Sequence, residues 1–365
     1  MWIDQARDPC RKGNGGDLKS LTGLRGVAAA VVFLAHFHFQ GLFPSWERAL
    51  ALVEWHNEAV DLFFWLSGFV MTLAYLKNFG VRTPGFWKGY FTARLARVFP
   101  VHLLSFSVML LLFVAGAVVL RKWPAYLDTR TVVSNLLLVQ NWPAVNLGSL
   151  NIASWSLSVE CFCYVVVTPL AFICAVRIDK TWILAAGVLA ALAVRVSIPT
   201  LTHGYVSLGR GVSGFFGGAL LFRLWQSNAG RGAGWWATAG TVWLLVGVAA
   251  RAWWQVDGRC LMPAFPAIIY GLAVPPAGHR AGLFLSSRPA VWLGDISYSI
   301  YMWHIPLGMV PIYHLRPHVV GWSAGGRLTW IVAEMALVLT VSHLSYYRFE
   351  TPARRRIRAR TQSST

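Results

Sequence analysis

Apolar residues recur along this chain in ten runs of about twenty, near 21–42, 57–76, 100–120, 153–176, 181–199, 208–226, 235–254, 261–278, 290–313 and 328–347. A bilayer core takes about twenty residues of helix to cross. Because backbone polar groups find no partner in lipid, such runs must be helical. The pattern therefore predicts an all-α, polytopic membrane protein of about ten transmembrane helices. Its weakest stretch is 181–278, where "RVSIPT" and "CLMPAFPAIIYGLAVPP" place prolines in or beside the helices, and nine or eleven spans fit there too.

Charge orients the spans. Cytoplasmic segments carry the excess of Lys and Arg. With the N-terminus inside, 22 of these residues fall in inner segments and nine in outer ones, and Arg195 sits near the outer end of its span. The bias predicts an even number of spans with both termini cytoplasmic. Residues 1–20 form a polar N-terminal segment without the apolar core of a signal peptide, 21–348 the membrane domain, and 349–365 a basic tail containing "PARRRIRAR". A net charge of +18 would suggest a nucleic-acid partner in a soluble protein. Here mean hydropathy is +0.53 and the basic residues sit at span ends, so orientation accounts for them without nucleic acid. The five cysteines, three of them in one apolar run, have neither disulfide nor zinc-site spacing, and no metal is expected.

Ionisable residues inside spans mark function by default. Eleven helical steps separate Arg25 from His36, a rise of about 16 Å and three turns plus about 20°, so both lie on one helix face. His304 lies about 18 Å beyond Trp292 in a span of the same direction. Glu160 enters from the opposite side to about 9 Å, and Asp61 a little less deeply. These depths allow all four to share one layer in the outer half of the bilayer. His38 points to another face; His56, His203, His314 and His318 fall in or near outer loops and read as ordinary. On the inner side, "FTARLARVFP" sets Arg94 and Arg97 three residues apart, just before Pro100 and the third span. Plain inner-face anchoring is one reading. The positive dipole of a helix N-terminus and two guanidiniums on one face give another, capture of phosphate. An anion site below a His and Glu layer suits a donor with phosphates at one end and a reactive group on a long arm, such as an acyl-coenzyme A.

At these residues the chain resembles the membrane-bound acyltransferase family 3, bacterial enzymes that O-acylate sugars and related alcohols. The matching features are Arg25 with His36, "DLFFWLSGFV", "RLARVFP", "WSLSVE" with Tyr164, "LGDISYSIYMWHIPL" and the ending "YYRFETPARR". One departure is Cys163, where the family usually has the first of two aromatics. The resemblance implies that His36 is the catalytic histidine, that Arg25, Arg94 and Arg97 meet the donor, and that Glu160, Ser297, Tyr298 and His304 line the pocket. It also implies the short, single-domain type of the family, without an appended periplasmic hydrolase-like domain.

The combined expectation is a multi-pass enzyme of the bacterial inner membrane that moves an acetyl group from acetyl-CoA to a sugar hydroxyl of a cell-envelope glycan or exopolysaccharide, on a lipid-linked intermediate. His36 and Glu160 are the expected catalytic pair. Arg25, Arg94 and Arg97 are the expected donor site; Asp61, Ser297, Tyr298, His304 and Trp155 the expected pocket, with Trp65 and Trp303 as further aromatics. Alternatives are acylation of a small secreted metabolite such as a macrolide-type sugar or, from another class, a transporter or flippase. A scaffold subunit of a glycan-export complex is a third.

Overall fold

The computed structural model describes residues 18–39, 55–79, 84–199, 204–274, 280–309 and 321–362. The regular elements among the described residues are all helices, with no strand. Three helices open the fold: α1 (Lys19–Phe39), α2 (His56–Phe79) and α3 (Pro84–Val119). The short α4 (Thr129–Leu136) follows, then α5 (Ser154–Phe162) and α6 (Thr168–Arg177) joined by a π turn over Cys163–Val167. Next come α7 (Thr181–Ser197), α8 (Gly204–Ser227), α9 (Ala233–Trp254) and α10 (Ala264–Leu272). The chain closes with α11 (Arg280–Leu285), α12 (Arg288–Asp295), α13 (Ser297–His304), α14 (Ala324–Leu344) and α15 (Thr351–Gln362).

A helix lies over each of the ten apolar runs, but the boundaries differ in instructive ways. Among the described residues, five stretches are long and apolar enough to cross a membrane: His56–Leu76, Gly85–Val119, Ser154–Arg177, Ala233–Trp254 and Ala324–Ala359. The run 261–278 is helical only over the nine residues of α10, beginning after Pro263, and 275–279 lie outside the described residues. Helix α3 starts at Pro84, not at Pro100, and carries Pro100 inside it. Proline is tolerated in membrane helices because neighbours re-satisfy the freed backbone groups. Arg94 and Arg97 thus lie more than two turns into a continuous helix. The N-terminal dipole fades within the first turn, so it does not reach them.

Hydrogen bonds pin the bundle at two ends. At one, the start of α1 meets the end of α11 through Ser20 and Ser286 (2.8 Å), and the end of α8 meets the end of α6 through Arg223 and the Ala175 carbonyl (2.6 Å). At the other, Asp61 near the start of α2 meets Arg195 at the end of α7 and Arg210 near the start of α8. Helix α8 therefore runs with α2 and α6 and against α7. Small residues permit the closest crossings: a Cβ on Gly68 would collide with the Phe215 carbonyl and one on Gly218 with the Trp65 carbonyl, so α2 and α8 touch backbone to backbone. Gly26 and Gly294 do the same for α1 and α12. A large apolar core fills the centre, including Trp65, Phe69, Phe215 and Phe265. Peripheral faces expose Leu111 and Val119 on α3, Trp243 and Leu245 on α9, and Val332 on α14, the surface a lipid environment requires.

Candidate active site

A narrow cavity runs along α2 from Val60 to Val70, against α3, α5 and α13. It encloses about 80 Å³, room for a few water molecules. Its polar lining is Arg25, Ser67, Arg97, Ser156, Glu160, Tyr164, Ser297, Tyr298 and Tyr301, with Phe63 and Phe64 among the apolar residues. Ten residues of α2 give it a length of about 15 Å.

Arg25 and Arg97 mark one end. The Arg25 guanidinium donates from Nη2 to Ser297 Oγ (3.3 Å), and Ser297 in turn donates to the Gly294 carbonyl (2.7 Å). Arg97 lies over the Tyr298 ring, 5.3 Å from its centroid, while the Tyr298 hydroxyl donates to the Val98 carbonyl (2.7 Å). A ring face contacts Arg97 and a hydroxyl contacts Arg25, so aromatic and hydroxyl groups hold the two guanidiniums in the cavity wall. The closing motif joins this end: Ser299 donates to Glu350, whose carboxylate lies 3.8 Å from Arg354.

Arg94 does not line the cavity. It is 5% exposed, donates from Nη2 to the Tyr75 hydroxyl (3.0 Å), approaches Met71 Sδ (3.1 Å) and lies 5.8 Å from the centroid of the Tyr164 ring. Three helical steps leave the two side chains about 60° apart around the axis and about 4.5 Å apart along it, enough to place Arg97 in the cavity and Arg94 behind it. The expected pair of guanidiniums on one anion is thus a single cavity arginine, Arg97, joined by Arg25.

Glu160 sits midway. Its Oε1 accepts from Ser67 (2.6 Å) and from the Tyr164 hydroxyl (2.5 Å). Tyr164 belongs to the π turn that follows α5, and the preceding Cys163 is fully buried in the core. The departure at position 163 therefore alters packing and leaves the tyrosine on the cavity. Glu160 does not touch the histidines.

The histidines lie past the far end of the cavity. His36 and His304 face each other edge to face with ring centroids 4.7 Å apart. His36 Nδ1 lies 2.7 Å from the Val32 carbonyl and His304 Nδ1 3.2 Å from that of Ile300. A carbonyl only accepts, so each Nδ1 carries the hydrogen, and in the neutral ring Nε2 holds the basic lone pair. His304 Nε2 is buried without a hydrogen-bond partner. Neither ring is in the cavity lining; Tyr301 stands between. Its ring is 5.8 Å from His304, and its hydroxyl shares a 2.7 Å hydrogen bond with Ser156. His56, which the sequence presents as an ordinary loop residue, has its ring 6.1 Å from that of His36. π turns follow α5 and α13 and also contain Glu350; such turns are frequent at functional sites.

Two expected pocket residues lie elsewhere. Asp61 accepts from Arg195 at 2.8 and 2.7 Å and from Arg210 at 3.2 and 3.1 Å, with both arginines fully buried. It is the counter-ion of two membrane arginines. Trp155 packs under Arg210 at 4.9 Å and edge-on to Phe64, outside the cavity lining. Trp65 and Trp303 are likewise buried in packing. The aromatic cavity faces come from Phe63, Phe64, Tyr298 and Tyr301 instead. Ser67, Ser156 and Tyr301 were not singled out from sequence. Tyr301 follows Ser297 by four residues on α13, and that helical spacing was the available signal.

An acyltransferase-domain family model matches residues 18–347, nearly the whole chain. The chain belongs to this acyltransferase family. Acyltransferase MdmB of Streptomyces mycarofaciens is 27% identical over 95% of this chain and 94% of its own length. The peptidoglycan O-acetyltransferase OatA of Listeria monocytogenes is 24% identical over 92% of this chain, which spans 56% of that protein. A shorter match, 41% identical over 96 residues, is to protein 2 in the picA locus of Rhizobium radiobacter. No solved structure matches. The acyltransferase is thus an enzyme of acyl transfer, which removes the transporter and scaffold alternatives, and its helices and relatives make it a multi-pass membrane protein.

Proposed function

We propose that this acyltransferase moves an acetyl group from acetyl-CoA to a sugar hydroxyl of a cell-envelope glycan or exopolysaccharide, carried on a lipid-linked intermediate. It does so from a ten-span bundle in the bacterial inner membrane with both termini in the cytoplasm. The observation that carries the reading is one cavity with Arg25 and Arg97 at one end that closes at Tyr301 and Ser156, one ring away from His36 and His304. Positive-inside orientation sets the arginine end toward the cytoplasm, where acetyl-CoA is made.

In this mechanism Arg25 and Arg97 hold donor phosphates, and the thioester reaches along the cavity toward Tyr301. His36 Nε2 accepts the proton of the acceptor hydroxyl. The acceptor oxygen bonds to the thioester carbonyl carbon, the C–S bond breaks, and the leaving thiolate takes the proton back from His36. The Tyr301 hydroxyl, accepting from Ser156, donates to the oxyanion. Glu160, anchored by Ser67 and Tyr164, shapes the middle of the path.

The test is acetyl-CoA titration into purified protein in nanodiscs, followed by calorimetry. Binding is expected in the wild type, weakened about tenfold or more in Arg97→Met, since a charge-assisted hydrogen bond contributes about 1.5–3 kcal/mol. Equal affinity in both would overturn the assigned donor site.

A further inference from the structure

A second cavity, of about 320 Å³, lies at the end of the bundle remote from Arg25 and Arg97, where α2 begins and α9 ends. Its lining is almost wholly polar: Asn57, Glu58, Arg251, Gln255 and Asp257. Gln255 and Asp257 are exposed at its rim, whereas Glu58 at its base is 3% exposed. Glu58 Oε1 lies 3.8 Å from Arg251 Nη1, and Glu58 Oε2 has no hydrogen-bond partner. A buried carboxylate oxygen without a donor is costly, and a ligand hydroxyl would satisfy it. The site is built around a glycine: a Cβ on Gly258 would collide with both Glu58 and Arg251.

The charges in the cavity balance. Arg251 faces Glu58, and Arg259 grips both oxygens of Asp257 at 2.9 and 3.1 Å, which holds that carboxyl below the usual carboxylate range. No net charge is left to select an ionic ligand. A carboxylate acceptor beside a guanidinium donor suits a pair of neighbouring hydroxyls. Position adds a second reason. The cavity opens at the end of the bundle opposite Arg25 and Arg97, so a ligand held there meets the protein from the side away from the proposed donor end.

We infer that the second cavity is an acceptor subsite: Glu58 and Arg251 bind a neutral, polyhydroxylated sugar ring of the acceptor. The assignment rests on the transferase reading above and adds to it the residues and charge type of acceptor recognition.

The test uses membranes of the producing cell, which contain its own acceptor, incubated with acetyl-labelled acetyl-CoA. Glu58→Gln should lower label transfer about tenfold or more, while acetyl-CoA affinity of the purified variant stays within about twofold of wild type. Retained donor binding also reports that the variant folds. Gln255→Trp, a rim substitution that fills the cavity without touching the core, should give the same split. Excess methyl glucoside should compete with transfer, and glucuronate of equal size should not. Label in the organic extract identifies a lipid-linked acceptor and label in the aqueous phase a free saccharide; both satisfy the subsite. Full transfer by Glu58→Gln and Gln255→Trp, or competition by glucuronate alone, would overturn it with the transferase reading intact. Absence of transfer by the wild type would overturn both.

Discussion

Replacing Asp61 by Asn probes the sharpest difference between chain and structure. The substitution keeps the side chain's shape and removes the one charge that two fully buried arginines share. Breaking a buried ion pair by removing one partner costs about 3–5 kcal/mol. Here the low end applies, because each guanidinium retains a carbonyl: Arg195 that of Ile198 (2.9 Å) and Arg210 that of Asn57 (2.7 Å). At about 2 °C per kcal/mol, suited to a long chain, a loss of about 3 kcal/mol lowers the unfolding midpoint by about 6 °C. Tryptophan fluorescence of the purified protein during heating in detergent reads this directly, and 19 tryptophans supply ample signal. Pairing Asp61→Asn with Arg195→Gln should recover part of the loss, since the second change removes one uncompensated charge. An unchanged midpoint accompanied by lost transfer would refute the reasoning and return Asp61 to the substrate pocket, where its depth alone had placed it.

Three further outcomes follow. Arg94→Met should leave acetyl-CoA affinity within about threefold of wild type while lowering the unfolding midpoint, since Arg94 holds Tyr75, Met71 and Tyr164 and does not line the cavity; titration calorimetry beside Arg97→Met checks this. Tyr301→Phe should reduce kcat about 10²–10³-fold with donor affinity preserved if its hydroxyl serves the oxyanion, measured as thiol release with acceptor present. Gly218→Leu should abolish stable expression, because any side chain there drives α2 from α8; detergent-solubilised yield by size-exclusion chromatography reports it.

Much of the fold is legible in the chain because the bilayer imposes one length and one secondary structure on every crossing segment. Alignment of Arg25 with His36 is equally legible, being a property of a single helix. What the chain conceals is azimuth between helices. Glu160 and the histidines share a depth range, yet Glu160 turns to Ser67 and Tyr164 while His36 turns to His304. The partners of Asp61 lie 134 and 149 residues away, and only packing of α2 against α7 and α8 reveals them. Pro100 misleads for a different reason: it reads as a helix boundary in water, whereas in α3 it is interior, which moves Arg94 and Arg97 away from any helix terminus. His56 escapes a sequence reading because its role comes from a neighbour on another helix.

The central claim is that acetyl passes from a cytoplasmic donor along one cavity to an acceptor activated at the histidine pair. Inverted membrane vesicles from cells producing the protein, supplied with acetyl-labelled acetyl-CoA on their exposed cytoplasmic face, test it most directly. Label should enter a glycan fraction with the wild type and fall to background with His36→Ala present at equal level. Equal labelling by both proteins, or labelling only when acetyl-CoA is placed on the other face, would contradict it.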